Sequence, residues 1–219
     1  MNPVILVPVK DAAKAKSRMS PLLNEDERAA VACALLEDLI AALLPLSCPI
    51  AVATDSPRTA DRVRKLGWQV FHEQTQISES ASVDAASRSL ADRGYDAVLR
   101  LPADLPLVGT DDVAELLSQS VLSPGAVIVP SRDGMGTNAL LRNPPVVFPS
   151  RFGRDSFAAH IREALTAGAR LRILVNPRIA LDLDDPADIN CFLAQPAACE
   201  TYRVLRRLRI KERLSHHGG

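Results

Sequence analysis

Short β-branched and apolar runs alternate along this chain with longer amphipathic stretches, and that alternation restricts the fold more than any other feature of the sequence. Strands separated by helices pack into parallel βαβ units, so the expected architecture is α/β, a Rossmann-like three-layer sandwich around a mainly parallel sheet. The strand candidates are Val4 to Val9, Pro49 to Thr54, Gln69 to His72, Ala97 to Leu101, Ala126 to Pro130 and Leu171 to Leu174. Runs such as Ile5-Leu-Val-Pro-Val and Ala126-Val-Ile-Val suit strands covered on both faces. Helices fit between them at Glu25 to Leu44, Pro57 to Leu66, Ser80 to Asp92, Thr110 to Ser118 and Asp155 to Ala167. In the first, Ala29, Ala32, Cys33, Leu36, Leu39, Ile40 and Leu43 recur at helical spacing behind Asn24, which offers an N-cap.

Two places break the alternation. A Gly- and Pro-rich stretch over 131–152, with the short apolar runs Ala139-Leu-Leu and Val146-Val-Phe, reads as an inserted hairpin or lid. After Gln195 the pattern degrades into a basic segment from Tyr202 to Leu214, so the expected division is one domain over 1–195 and a basic C-terminal tail over 196–219.

Composition narrows the function. Lys plus Arg equals Asp plus Glu, 26 against 26, leaving no net field to draw in nucleic acid or a membrane surface. Cys33, Cys48, Cys191 and Cys199 are too scattered for a zinc or redox motif and read as reduced thiols. No signal peptide and no apolar run of the ~18 residues a membrane helix needs is present, so a cytoplasmic protein is expected, with room for a homodimer.

In open parallel sheets ligands sit beyond the carboxyl ends of the strands. After the first strand come Lys10, Lys14, Lys16 and Arg18, cations that could meet polyphosphate or be merely solvated. After the fourth comes Leu101-Pro-Ala-Asp-Leu-Pro, where Asp104 is fixed between prolines as a ligand of a hard cation should be, or else caps the next helix. In Leu181-Asp-Leu-Asp-Asp-Pro-Ala-Asp, Asp182 and Asp184 alternate to one side of an extended segment and repel each other unless a cation lies between them. Asp185 before Pro186 reads instead as a helix cap. Asp133-Gly-Met-Gly-Thr-Asn offers donors from Thr137 and Asn138 beside glycines that a plain turn would equally explain. Arg151-Phe-Gly-Arg-Asp-Ser begins a helix with Gly153 and Ser156 near its start, an anion site or an ordinary cap. No nucleophile elbow, Cys–His pair, Walker loop or dinucleotide fingerprint is present.

In combination and order, Val7-Pro-Val-Lys10 with Ala15-Lys16-Ser17-Arg18, Ala103-Asp-Leu-Pro106, Gly136-Thr137, Arg151 to Ser156, and Asp182-Leu-Asp-Asp-Pro-Ala-Asp resemble the 2-phospho-L-lactate guanylyltransferase family, over about Val4 to Phe192. Bacterial members of that family act on phosphoenolpyruvate or 3-phospho-D-glycerate in making coenzyme F-420. The resemblance implies a nucleotide-diphosphosugar transferase-like fold and transfer of GMP from GTP to the phosphate of a three-carbon phospho-acid. It implies Mg2+ on Asp104, Asp182 and Asp184, and GTP contacts from Lys10, Lys16 and Arg18. Catalysis would rest on Lys16, Arg18 and Asp104, and the acceptor on Thr137, Gly153 and Ser156. Where the family often has a Leu-Asn pair near the base, this chain reads Glu79-Ser-Ala-Ser-Val-Asp84, so the choice of base is less fixed than the reaction.

The residues are consistent with such chemistry. An acceptor phosphate is already ionised at neutral pH and needs no general base to attack the α-phosphorus, so positioning and charge neutralisation suffice. Two other readings compete. One is a same-fold nucleotidyltransferase for a molybdopterin or a phosphosugar, although such relatives usually open with a Gly-rich loop and none lies between Lys10 and Leu23. The other is a non-catalytic nucleotide-binding assembly protein.

Overall fold

The computed structural model describes residues 1–11, 16–72, 78–119 and 123–217, so Lys14 and Ala15 lie outside the described residues. Seven strands form one sheet: β1 (Pro3–Val9), β2 (Ile50–Thr54), β3 (Gln69–His72), β4 (Ala97–Arg100), β5 (Gly125–Pro130), β6 (Thr137–Asn143) and β7 (Arg170–Ile173), in the order β3-β2-β1-β4-β6-β5-β7. Of these only β6 runs against its neighbours. The helices are α1 (Glu25–Leu43), α2 (Pro57–Arg64), α3 (Glu79–Asp92), α4 (Thr110–Ser118), α5 (Ser156–Thr166), α6 (Pro177–Ala180), α7 (Pro186–Leu193), α8 (Glu200–Arg207) and α9 (Ile210–His217).

The period of two along each strand builds the three layers. Ile5, Val7, Val52, Leu99, Val127 and Leu141 face one way, onto Leu39 and Leu43 of α1, Val63 of α2 and Val113 and Leu116 of α4. Val4, Leu6, Ala53 and Val98 face the other way onto Val83, Ala86 and Leu90 of α3, while Ile128 and Leu140 meet Ala164 of α5. Asn24 and Glu27 close a reciprocal capping box on α1.

Two expectations change. Of the hairpin or lid expected over 131–152, the structure has a hairpin arm rather than a peripheral lid: β6 pairs antiparallel with β5 but is wedged between β4 and β5, with Leu140 and Leu141 fully buried. The run Val146-Val-Phe is not a strand, and Phe148 is buried near α5. The sequence concealed this because β6 carries buried Arg142, whose guanidinium donates to Asp84 at 2.9 Å and to the Phe148 carbonyl at 2.7 Å. A charge satisfied by a helix and a loop packed on the sheet reads from sequence as a break in a strand.

The C-terminal segment is likewise part of the core. Leu205 and Ile210 are fully buried with Met19, Leu23, Val31, Leu35, Leu183 and Phe192. Asp38 of α1 accepts the first amides of α8, from Glu200 at 2.7 Å and Thr201 at 2.8 Å, and Arg213 pairs with Glu27. Among the described residues no helix is long and apolar enough to cross a membrane.

Candidate active site

The extended segment before α7 turns its apolar residues inward and its acids outward. Leu181 and Leu183 are 2% and 0% exposed, which sends Asp182 and Asp184 together to the opposite side. Asp185 and Asp188 make a capping box on α7 with Pro186 in its first turn, as the sequence suggested for Asp185. Beyond β4, buried Leu101 and Leu105 anchor the turn that carries Asp104, and the Asp104 carbonyl accepts from Leu183 N at 3.0 Å. That bond ties the two acidic segments together. One carboxylate oxygen each from Asp104, Asp182 and Asp184 lies within 4.8 Å of the others, a donor set suited to a hard divalent cation.

The neighbouring charges are lysine and arginine. Lys16 Nζ lies 2.9 Å from Asp104 and 3.1 Å from Asp184, and Arg18 lies 3.0 Å from the other oxygen of Asp184. The Lys16 side chain is 8% exposed, and its backbone takes the left-handed conformation, φ 58°. Burial alone would lower the Lys16 pKa, but Asp104 and Asp184 outweigh it and hold the ammonium above its ordinary value. Burial would likewise raise the pKa of Asp104, and Lys16 reverses this. Asp182 has no such cation: burial, then the charges of Asp104 and Asp184, push its carboxyl up to about 6.

Two cavities meet at these acids. The first, about 400 Å³, is lined by Pro8, Val9, Lys10, Lys16, Ser17 and Arg18 and by Thr59 of α2. The second, about 720 Å³, is lined by Ser131 to Asp133, Met135 to Asn138 and Phe152 to Ser156. Asp104, Asp184, Arg18, Arg100, Glu79 and Gly153 border both. Thus Lys10 and Lys16 line the first cavity, Thr137 and Ser156 the second, and Arg18 and Gly153 stand with the acids where the two meet.

The second cavity owes its lining to a β-bulge. Val129 pairs with Ala139 but Pro130 pairs with Thr137, leaving Asn138 as the extra residue. The irregularity exchanges the faces of the strand's first residues. Thr137 therefore meets His160 of α5, and Asn138 turns to the other layer, donating to the Ile179 carbonyl at 2.9 Å and to Asp182 at 3.2 Å. The preceding turn is closed by Asp133, which accepts from Ser131 Oγ at 2.6 Å and Met135 N at 2.9 Å. A Cβ on Gly136 would fall 2.8 Å from Ser131 Oγ, and Gly134 has φ 73°, so the turn needs both glycines. At α5, N-cap Asp155 (φ 57°) makes no side-chain capping bond, while Ser156 is 2% exposed. Gly153 has φ 127° and open space where a Cβ would stand.

Sequence reasoning missed Arg100 and His160. Arg100 ends β4 beneath the acids, pairs with Glu79, donates to the Thr137 carbonyl at 3.3 Å and lies 4.1 Å from the Phe152 ring centroid. Its Nε is buried and unpartnered. An arginine closing the apolar run Ala97-Val-Leu was the available signal, since a buried charge requires partners. The family's Leu-Asn position corresponds here to a structural joint: Ser80 Oγ accepts from Phe152 N at 2.8 Å, and Asp84 accepts from Ser150 N at 2.9 Å.

A family model described as "Guanylyl transferase CofC like" matches residues 3–218, including the C-terminal helices that the sequence resemblance left out. The phosphoenolpyruvate guanylyltransferase of Rubrobacter xylanophilus is 36% identical over 190 residues, covering 86% of this chain and 92% of that protein. The 2-phospho-L-lactate guanylyltransferase of Methanothermobacter thermautotrophicus is 28% identical over 210 residues, 96% of this chain and 92% of that one. Among solved structures, a Desulfovibrio desulfuricans G20 protein described as a nucleotide-diphospho-sugar transferase superposes with a TM-score of 0.79 at 19% identity, over 99% of this chain and 98% of that one.

Proposed function

The chain belongs to the CofC-like guanylyl transferase family, and from that premise we propose that it moves GMP from GTP onto the phosphate of a three-carbon phospho-acid, releasing pyrophosphate. It is a nucleotidyltransferase, as its relatives' names state. The acceptor class is phosphoenolpyruvate, 3-phospho-D-glycerate or 2-phospho-L-lactate, and the product would feed coenzyme F-420 assembly in a cytoplasm that keeps the four cysteines as free thiols.

The observation that carries this reading is the meeting of two unlike cavities at three carboxylates. GTP fits the first, with its triphosphate toward Lys10, Lys16 and Arg18. The phospho-acid fits the second, its phosphate on Thr137, Gly153 and Ser156. Asp104, Asp182 and Asp184 would hold Mg2+, which when bound would neutralise phosphate charge where the two substrates meet.

The chain's own residues do the rest. Lys16 now stands between Asp104 and Asp184. A second cation on the carboxylates would free this ammonium to donate to a triphosphate in the first cavity. Arg18 makes the same exchange from Asp184. Arg100, buried under the junction, supplies fixed positive charge to both cavities without leaving its partners. No side chain is required as nucleophile or base, because the acceptor phosphate attacks the α-phosphorus directly and the pyrophosphate departs along the first cavity.

The test is to incubate the protein with GTP, Mg2+ and each of the three acids in turn while measuring pyrophosphate. At least one acid should release pyrophosphate in proportion to a GMP-bearing product. Release with none of them, or release independent of the acid, would refute the reading.

A further inference from the structure

Beneath the second cavity lies a histidine with no exposed surface and two partners. Nε2 of His160 accepts the backbone N–H of Arg151 at 2.8 Å, and Nδ1 lies 3.0 Å from Thr137 Oγ1. A backbone amide can only donate, so Nε2 carries no proton and the neutral ring bears its proton on Nδ1. Nδ1–H then donates to the Thr137 oxygen. With that oxygen occupied as an acceptor, the hydroxyl's own proton is directed away from the histidine. Burial, then the cations of Arg142 and Arg100, push the His160 pKa down to about 3, which keeps this arrangement through any working pH. The ring is held edge-on to Phe152, 4.9 Å between centroids.

We propose that His160 is a positioning residue for the acceptor: by donating to Thr137 it makes that hydroxyl an obligate donor toward an anion in the second cavity. The bond from Arg151 N to Nε2 fixes the tautomer that makes this donation possible. The matching ligand is a phosphate monoester, whose oxygens only accept. This inference rests on the assignment of Thr137 to the acceptor phosphate and adds a residue that touches neither substrate.

The test is a cycle of Thr137→Val, His160→Leu and the double variant in the full-length protein, with saturating GTP and Mg2+ and with phosphoenolpyruvate, 3-phospho-D-glycerate or 2-phospho-L-lactate varied. His160→Leu should raise the acceptor KM on the order of tenfold, the weight of one hydrogen bond to a charged group, with the KM for GTP little changed. The double variant should be no worse than Thr137→Val alone, since the histidine acts through the threonine. His160→Asn, which keeps a donor near Nδ1, should recover much of the loss. Additive losses, an equal rise in both KM values, or an asparagine variant as poor as leucine would overturn the proposal. If Thr137→Val leaves the acceptor KM unchanged, the acceptor site itself is misassigned; if it raises that KM and His160→Leu does not, the positioning role alone fails. Nitrogen-15 shifts of the wild-type imidazole provide a check free of folding defects: they should report a proton on Nδ1 and none on Nε2, and the opposite tautomer would refute the role.

Discussion

The two cavities are built from opposite materials. Around the first, charges are balanced by other charges: Lys16 and Arg18 lie against Asp104 and Asp184, and under the proposed function these ion pairs would open to admit a nucleotide with its cation. Around the second, hydrogen bonds to hydroxyls and main-chain amides and backbone geometry set the shape, through the β-bulge at Asn138, the Asp133 turn and the Thr137–His160 pair. The first side is an exchangeable electrostatic arrangement and the second a preformed one. Substitutions should therefore act differently on the two sides.

The largest effect is expected where the sides meet. Asp104→Asn should leave the fold intact and lower kcat by roughly a hundredfold, about 3 kcal/mol of lost electrostatic stabilisation. Near-normal turnover at saturating Mg2+ would remove Asp104 from the cation site. Lys16→Met tests exchange directly. It should lower turnover, yet tighten the binding of Mn2+ to the nucleotide-free protein by about tenfold, because the cation that competes for Asp104 and Asp184 has gone. Titration calorimetry decides this, and unchanged or weaker Mn2+ binding would show that lysine and metal do not compete.

On the preformed side, Ser156→Ala should raise the acceptor KM by roughly tenfold and leave that of GTP nearly alone. Thermal destabilisation without a kinetic defect would reduce Ser156 to a structural residue of α5. Acidity should also separate the sides. Asp182 ionises near pH 6 in the ion-free fold but near 3.9 when unfolded. Its ionised form is the one the fold disfavours, so the ion-free protein loses stability as pH rises from about 4 to 6. A divalent cation should consequently raise Tm more at pH 7.5 than at pH 5, as melting curves would reveal; an equal rise at both would contradict the assignment of Asp182.

The smallest kinetic effect belongs to the C-terminal helices. Leu205→Ala should cost about 2–5 kcal/mol of stability while changing kcat at most a few fold. A folded variant without turnover would place those helices in the site.

The same contrast explains what could be read from the sequence. Asp104, Asp182 and Asp184 follow from strand ends and a period of two, which are local rules that the buried Leu181 and Leu183 enforce. The parallel framework was legible for the same reason. β6 was not, because buried Arg142 interrupts its apolar pattern and its partner Asp84 is 58 residues away. His160 was invisible as a site residue because its partners come from other elements, and Arg100 showed only as a charge closing an apolar run. The C-terminal helices looked like a basic tail because Leu205 and Ile210 stand on two separate short helices, and no single helical period joins them.

The central claim is that both substrates meet directly at the three carboxylates, with no covalent intermediate on the protein. The stereochemical course at the α-phosphorus, followed with a single diastereomer of GTP carrying sulfur on that phosphorus, tests it most directly. A single in-line displacement predicts inversion of configuration in the product. Retention would require two displacements and a guanylylated side chain, and would contradict the account.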